Sequence, residues 1–144
     1  MGVTIDLASI VAGGAPGSQA LGGDRDEPSL EGVTVLLVED QALIALELQM
    51  ELEMAGATVI GPVANLSDAV AAAEAGGFAV AILDIDLVGE DVFPVADILV
   101  ERGVPFVFHT GHGIKADLAQ SYEAPVCIKP LPGDAIIRAL AQLI

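Results

Sequence analysis

The run Phe78-Ala79-Val80-Ala81-Ile82-Leu83 leads without a break into Asp84-Ile85-Asp86-Leu87, and no other stretch limits the possible folds as tightly. An uninterrupted apolar run of this length reads as a strand buried on both faces, the kind found in the middle of a parallel sheet. In open parallel sheets, ligands bind beyond the carboxyl ends of the strands. Asp84 therefore stands where chemistry is expected, although one carboxylate after a core strand can equally be a solvated turn. Three further stretches end in matching polar residues, and they shift the balance.

Val33-Thr34-Val35-Leu36-Leu37-Val38 reads as a buried strand ending in Glu39-Asp40. A helix follows from about Gln41 to Ala55, stopped by Gly56. It carries two apolar stripes at helical spacing: Ile44, Leu48, Leu52 and Ala55 on one side, and Leu43, Leu46, Met50 and Met54 nearly opposite. One stripe suffices to meet a sheet. The other is expected to be covered by the N-terminal segment, to be offered to a partner, or to be partly buried at the domain's own edges. Thr58-Val59-Ile60-Gly61 is a second, short strand, and Asn65 and Ser67 offer capping oxygens for an Ala-rich helix ending before Gly76-Gly77. After the central strand and the loop Val88-Gly89-Glu90-Asp91, Pro94 falls in the first turn of a helix that ends at Gly103. Val104 to Thr110 forms a fourth strand, a short helix is expected over 116–121, and Ala124 to Ile128 forms a fifth strand before Lys129-Pro130. The last helix covers Asp134 to Ile144. Strand and helix thus alternate with short connections, and right-handed crossovers give a doubly wound, five-stranded parallel α/β sheet with helices on both faces.

Residues 1–31 differ in character. Gly13-Gly14-Ala15-Pro16-Gly17-Ser18 and Gly22-Gly23-Asp24-Arg25-Asp26-Glu27-Pro28 are turn-rich text. They are expected to form a flexible extension ahead of a domain at 32–144, with docking of the apolar patch Val3–Val11 as the alternative. The formal charge of −16 excludes a surface made for nucleic acid or anionic lipid. A single cysteine, Cys127, excludes an internal disulfide and points to a reducing compartment. No apolar run is long enough to span a bilayer. A cytoplasmic protein is expected.

Four strand ends on one sheet edge carry Glu39-Asp40, Asp84, Thr110 and Lys129. Carboxylates brought within about 4 Å repel by roughly 4 kcal/mol per pair at an effective dielectric of 20. Such a site must protonate one group or gather cations. Lys129, one of two lysines in the chain, supplies one positive charge. A hard divalent ion with oxygen ligands would supply the rest, and Mg²⁺ suits few carboxylates and retained waters. That combination can bring a phosphoryl group to Asp84 as nucleophile, with Thr110 and backbone N–H groups donating to its oxygens.

Leu36-Leu37-Val38-Glu39-Asp40, Ile82-Leu83-Asp84, Phe108-His109-Thr110-Gly111 and Cys127-Ile128-Lys129-Pro130 together resemble the signature of two-component receiver domains, over about residues 33–144, which implies a flavodoxin-like sheet in the order 2-1-3-4-5. The resemblance implies that Asp84 is the phosphoacceptor, Asp40 the principal Mg²⁺ carboxylate and Glu39 its acidic neighbour. Asp86 falls where the family offers a backbone carbonyl to the metal. Thr110 resembles the switch hydroxyl, Lys129 its lysine partner, and Lys129–Pro130 the family's cis peptide. A histidine kinase or a phosphotransfer protein is the implied phosphoryl donor. The chain reads as a single-domain response regulator, not an enzyme beyond slow autodephosphorylation, whose output is protein–protein contact. The first helix is its candidate surface for the kinase, a homodimer partner or a downstream protein.

Two features depart from the common pattern. Val126 stands where many receivers carry an aromatic three residues before the lysine. The fourth strand is similar to a Phe-Ala-Thr-Gly subgroup but has His109 for the alanine and His112-Gly113 beyond the glycine. His112 reads as a loop histidine and Cys127 as a small core residue. Two rival readings remain: a haloacid-dehalogenase-like phosphatase using Asp84 and Asp86, and a receiver fold kept for binding without phosphorylation. The first leaves Glu39-Asp40 without a role and wants a further acidic motif beyond Lys129. The second is at odds with an intact set of acids, Thr110 and Lys129.

Overall fold

The computed structural model describes residues 3–5, 29–111, 119–129 and 131–144. In chain order the elements are β1 (Val3–Ile5), β2 (Thr34–Val38), α1 (Ala42–Met54), β3 (Thr58–Val63), α2 (Leu66–Ala75), β4 (Val80–Asp84), β5 (Asp86–Leu87), β6 (Glu90–Asp91), α3 (Phe93–Arg102), β7 (Phe106–Thr110), a 3-10 turn (Gln120–Tyr122), β8 (Pro125–Ile128) and α4 (Gly133–Ala141).

Among the strands, β2, β4, β7 and β8 are buried on both sides and so lie between two layers. With β3 they form the expected parallel sheet, β3-β2-β4-β7-β8, and β1 adds a sixth strand, pairing in parallel with β8 at the far edge. Alternation along the strands divides the core into two halves. Leu36, Val38, Ala81, Leu83, Phe106, Phe108 and Val126 face α2 and α3, while Val35, Leu37, Val80, Ile82, Val107 and Cys127 face α1 and α4. Val126 thus fills core space on the α2 and α3 side of the sheet. The chain's aromatic residues gather on that side too: Phe93 stacks on Tyr122 with centroids 5.5 Å apart, and Phe108 meets both edge-on.

Local signals place the helices. Asn65 caps α2 by accepting the Asp68 N–H at 2.8 Å, Pro94 occupies the first turn of α3, and Gly103 ends that helix in a left-handed conformation. On α1, Ala45, Leu48 and Leu52 are buried, whereas Leu43, Leu46, Met50 and Met54 are all more than half exposed. The inner stripe wins because it sits over β2 and β3 and against α4.

Three differences from the sequence reading have physical causes. The second strand does not stop at Gly61: it breaks register there and resumes, pairing Val63 with Val38. As an edge strand, β3 tolerates Pro62, which has no N–H to give. The segment after Asp84 is not a plain loop but a hairpin, β5 on β6, turned by Val88 and Gly89, both at positive φ. Leu30, placed in the extension by composition, is fully buried and donates its N–H to Ala55 O at 2.8 Å, so the ordered body starts before residue 32. Three expectations fall outside the described residues: the course of residues 6–28, the surroundings of His112, and the Lys129–Pro130 bond. The short helix over 116–121 falls mostly outside them. A cis peptide does occur at Gly61–Pro62. No helix among the described residues is long and apolar enough to cross a membrane.

Candidate functional site

The sheet's alternation decides which side chains meet. Glu39, Asp84, His109 and Lys129 continue the rows Val35-Leu37, Val80-Ile82, Val107 and Cys127, so all four leave their strand ends toward the α1 and α4 face. Register aligns them: Val38 pairs with Leu83, Asp84 with His109, and His109 with Cys127. Asp40 and Thr110 lie on the opposite parity at the same edge.

Glu39 is held where it is by its backbone, whose N–H donates to Val63 O at 2.9 Å across the resumed β3 pairing. Its carboxylate accepts the Gln41 N–H at 3.1 Å. Lys129 Nζ lies 3.0 Å from Glu39 Oε1 and 3.3 Å from Asp84 Oδ2, bridging two acids on separate strands. Its own backbone N–H donates to Thr110 O at 2.7 Å, which locks the ends of β7 and β8 together. Asp84 Oδ1 accepts the Asp86 N–H at 3.2 Å, and Asp40 Oδ2 accepts the Val88 N–H at 2.9 Å. The second contact ties the β5–β6 hairpin to the end of β2, so the hairpin is part of the site.

Oxygen atoms of Glu39, Asp40 and Asp84 lie within 4.8 Å of one another. Three acids and one lysine leave the cluster with unbalanced negative charge. Burial above all, then a hydrogen bond to Glu39 and its charge and a hydrogen bond to Asp40, push the Asp84 carboxyl up from 3.8 to about 8, against the pull of Lys129. Such a donor set, oxygen only and short of positive charge, fits a hard divalent cation such as Mg²⁺. Asp40, Gln41, Asp84, Asp86, Val88, Gly89, Thr110, Gly111 and Lys129 line an open cleft of about 550 Å³.

Every residue singled out from the sequence therefore reaches this one edge: Glu39, Asp84 and Thr110 buried, Lys129 and Asp40 partly so, and Asp86 with an exposed side chain. His109, read in the fourth-strand motif as a departure from alanine, is the one whose burial beside Asp84 that reading did not give. It is 3% exposed, next to Asp84 in the sheet, with Nδ1 at 4.0 Å from Glu39 Oε1. Burial, then the Lys129 charge, hold its ring down from 6.5 to about 4, so it is neutral at ordinary pH. Counting parity along β7 from Val107 would have found it.

This order of strands, with helices on both faces and the acidic edge at the carboxyl ends, defines a flavodoxin-like α/β protein. Among solved structures, the chain is similar to SdrG from Sphingomonas melonis Fr1, with 40% identity, a TM-score of 0.68, and coverage of 78% of this chain and 97% of that one. A response regulator receiver protein from Sinorhizobium medicae WSM419 matches at 28% identity and TM-score 0.70, over 80% of this chain and 96% of that one. The receiver domain of the sensor histidine kinase PA1611 from Pseudomonas aeruginosa PAO1, solved with a magnesium ion coordinated in its active-site cleft, shares the fold at 24% identity and TM-score 0.67, over 77% and 96% of the two chains. No family profile and no curated protein matches. The chain belongs to the response-regulator receiver domains. Nothing in the geometry favours the phosphatase alternative, since it gives no work to Glu39, which is buried against Lys129.

Proposed function

We propose that the chain is a single-domain response regulator that accepts a phosphoryl group on Asp84 from a histidine kinase or a phosphotransfer protein. The observation that carries this reading is the placement of Asp84: a buried carboxylate at a strand end, 3.3 Å from Lys129 Nζ and opening on a cleft shared with Asp40 and Thr110. Asp40, Glu39, Asp84 and the Asp86 backbone carbonyl are the groups that would hold Mg²⁺. When bound, that ion supplies the positive charge that keeps Asp84 ionised and offsets the charge on the phosphoryl oxygens.

In the reaction an Asp84 carboxylate oxygen attacks phosphorus. A P–O bond forms, the bond from phosphorus to the donor's imidazole nitrogen breaks, and that nitrogen keeps the electron pair. Lys129 pairs with a phosphoryl oxygen and the Thr110 hydroxyl donates to another. Attack of water on the acyl phosphate returns Asp84 slowly to its carboxylate. The signal passes on by protein–protein contact, and the exposed side of α1 is the surface for the donor, a downstream protein or a second protomer.

Incubation with acetyl phosphate and Mg²⁺, followed by intact mass, tests the central step. Wild type should gain one phosphoryl group, and Asp84→Ala should gain none. Equal labelling of the two would sink the assignment.

A further inference from the structure

The two oxygens of the Glu39 carboxylate are unequally held. Oε2 accepts the Gln41 N–H at 3.1 Å and lies 3.3 Å from Lys129 Nζ. Oε1 is buried and accepts no hydrogen bond among the described residues; the cation beside it is Lys129 Nζ, at 3.0 Å. The Glu39 side chain is 1% exposed, so bulk water does not reach that oxygen.

A second orphan faces it. His109 Nδ1 lies 4.0 Å from Glu39 Oε1, too far for a hydrogen bond. Neither ring nitrogen has a partner among the described residues, and both are sealed from solvent. Buried polar groups are nearly always paired, so a carboxylate oxygen and an imidazole left facing each other need a reason. Sheet register brings them together: Val38 pairs with Leu83 and Asp84 with His109, which sets Glu39 and His109 on either side of Asp84 on one face.

Lys129 is shared between two tasks. At rest it bridges Glu39 and Asp84. In the proposed reaction it turns to a phosphoryl oxygen on Asp84, and its hold on Glu39 is lost. Oε2 then keeps the Gln41 N–H, but Oε1 keeps nothing, and a buried carboxylate oxygen without a donor bears its full desolvation cost. We propose that His109 is a positioning residue: as Lys129 leaves, the His109 Nδ1–H takes its place on Glu39 Oε1 and holds that carboxylate at the metal site. A neutral imidazole has the one N–H this needs. A closing movement of about 1 Å brings the pair to hydrogen-bond distance, and a bond to an ionised acceptor is among the stronger kinds. The inference rests on phosphoryl transfer to Asp84 for its trigger, but the pairing itself needs only that Lys129 be withdrawn.

Nuclear magnetic resonance of the labelled imidazole nitrogens in the full chain tests this, with His112→Asn leaving His109 as the one ring observed. In Lys129→Met, with no phosphoryl group present, the His109 Nδ1–H signal should move downfield and exchange with water several-fold more slowly. The Lys129 parent loaded with Mg²⁺ and beryllofluoride, a mimic of the bound phosphoryl group, should show the same change. A ring protonated on Nε2 alone, or a signal that Lys129→Met leaves unmoved, overturns the inference whatever happens at Asp84. Should acetyl phosphate add no mass while Lys129→Met gives the shift, the pairing stands and the reaction falls. Affinity for beryllofluoride gives a second readout. His109→Leu should weaken it several-fold, and His109→Asn, which returns an N–H near the place of Nδ1, should recover most of the loss. A role in packing alone would not be rescued by asparagine, so equal losses in the two variants would also overturn the inference.

Discussion

Asp84 sits in an environment that resists its charge. In metal-free buffer the folded carboxyl keeps its proton up to about 8, whereas the unfolded one loses it near 3.8. Between those values the folded chain binds more protons than the unfolded chain, so this group's contribution makes stability fall as pH rises through the window. Asp84→Asn has no such proton to lose. It should therefore melt several degrees above wild type near pH 8, with the difference shrinking toward pH 4. Mg²⁺ should raise the wild-type midpoint more than that of the variant. Melting curves across pH, with and without the ion, check both, and a variant no more stable than wild type at pH 8 would contradict the account. The same residues show what a motif can hide. Asp84, Glu39, Thr110 and Lys129 were legible as strand-end polar groups, but the burial of His109 was not, because it follows from sheet parity and not from the residue's chemistry.

Among the elements, α1 separates packing from recognition most cleanly. Leu48→Ala removes a core side chain over β2 and β3 and should cost about 3 kcal/mol. Leu46→Glu and Met50→Glu alter exposed positions and should stay within about 0.5 kcal/mol of wild type. These two should slow phosphotransfer from the cognate donor or abolish dimerisation, by stopped-flow and light scattering; unchanged kinetics and mass would retire α1 as a docking surface. Helical spacing revealed both stripes of this helix, yet only the position of β3 and α4 decides which one is inward. Strands β2, β4, β7 and β8 were legible because burial on both faces leaves continuous apolar runs. The β5–β6 hairpin was not, since its turn needs positive φ at Val88, which β-branched residues rarely supply. Leu30 escaped notice for a related reason: a lone leucine in polar text gives no period to read.

On the scale of the whole molecule, the parallel sheet followed from alternation and short connections and its order β3-β2-β4-β7-β8 from the family resemblance, while β1 followed from neither. Three residues with no flanking turn signal carry too little pattern to announce a strand. Its pairing of Val3 with Pro125 joins nearly opposite ends of the chain. Replacing both Thr4 and Ile5 with proline removes whichever amide donates to β8. That variant should unfold faster than wild type and refold at the same rate, because a contact this distant in sequence forms after the main barrier. A slower refolding rate in stopped-flow measurements would place β1 in the folding nucleus instead. During synthesis on the ribosome, β1 is made well over a hundred residues before its partner strand. Until β8 is made, this stretch has no partner strand, and the nascent chain carries an unpaired strand that chaperones or a neighbouring nascent chain can bind.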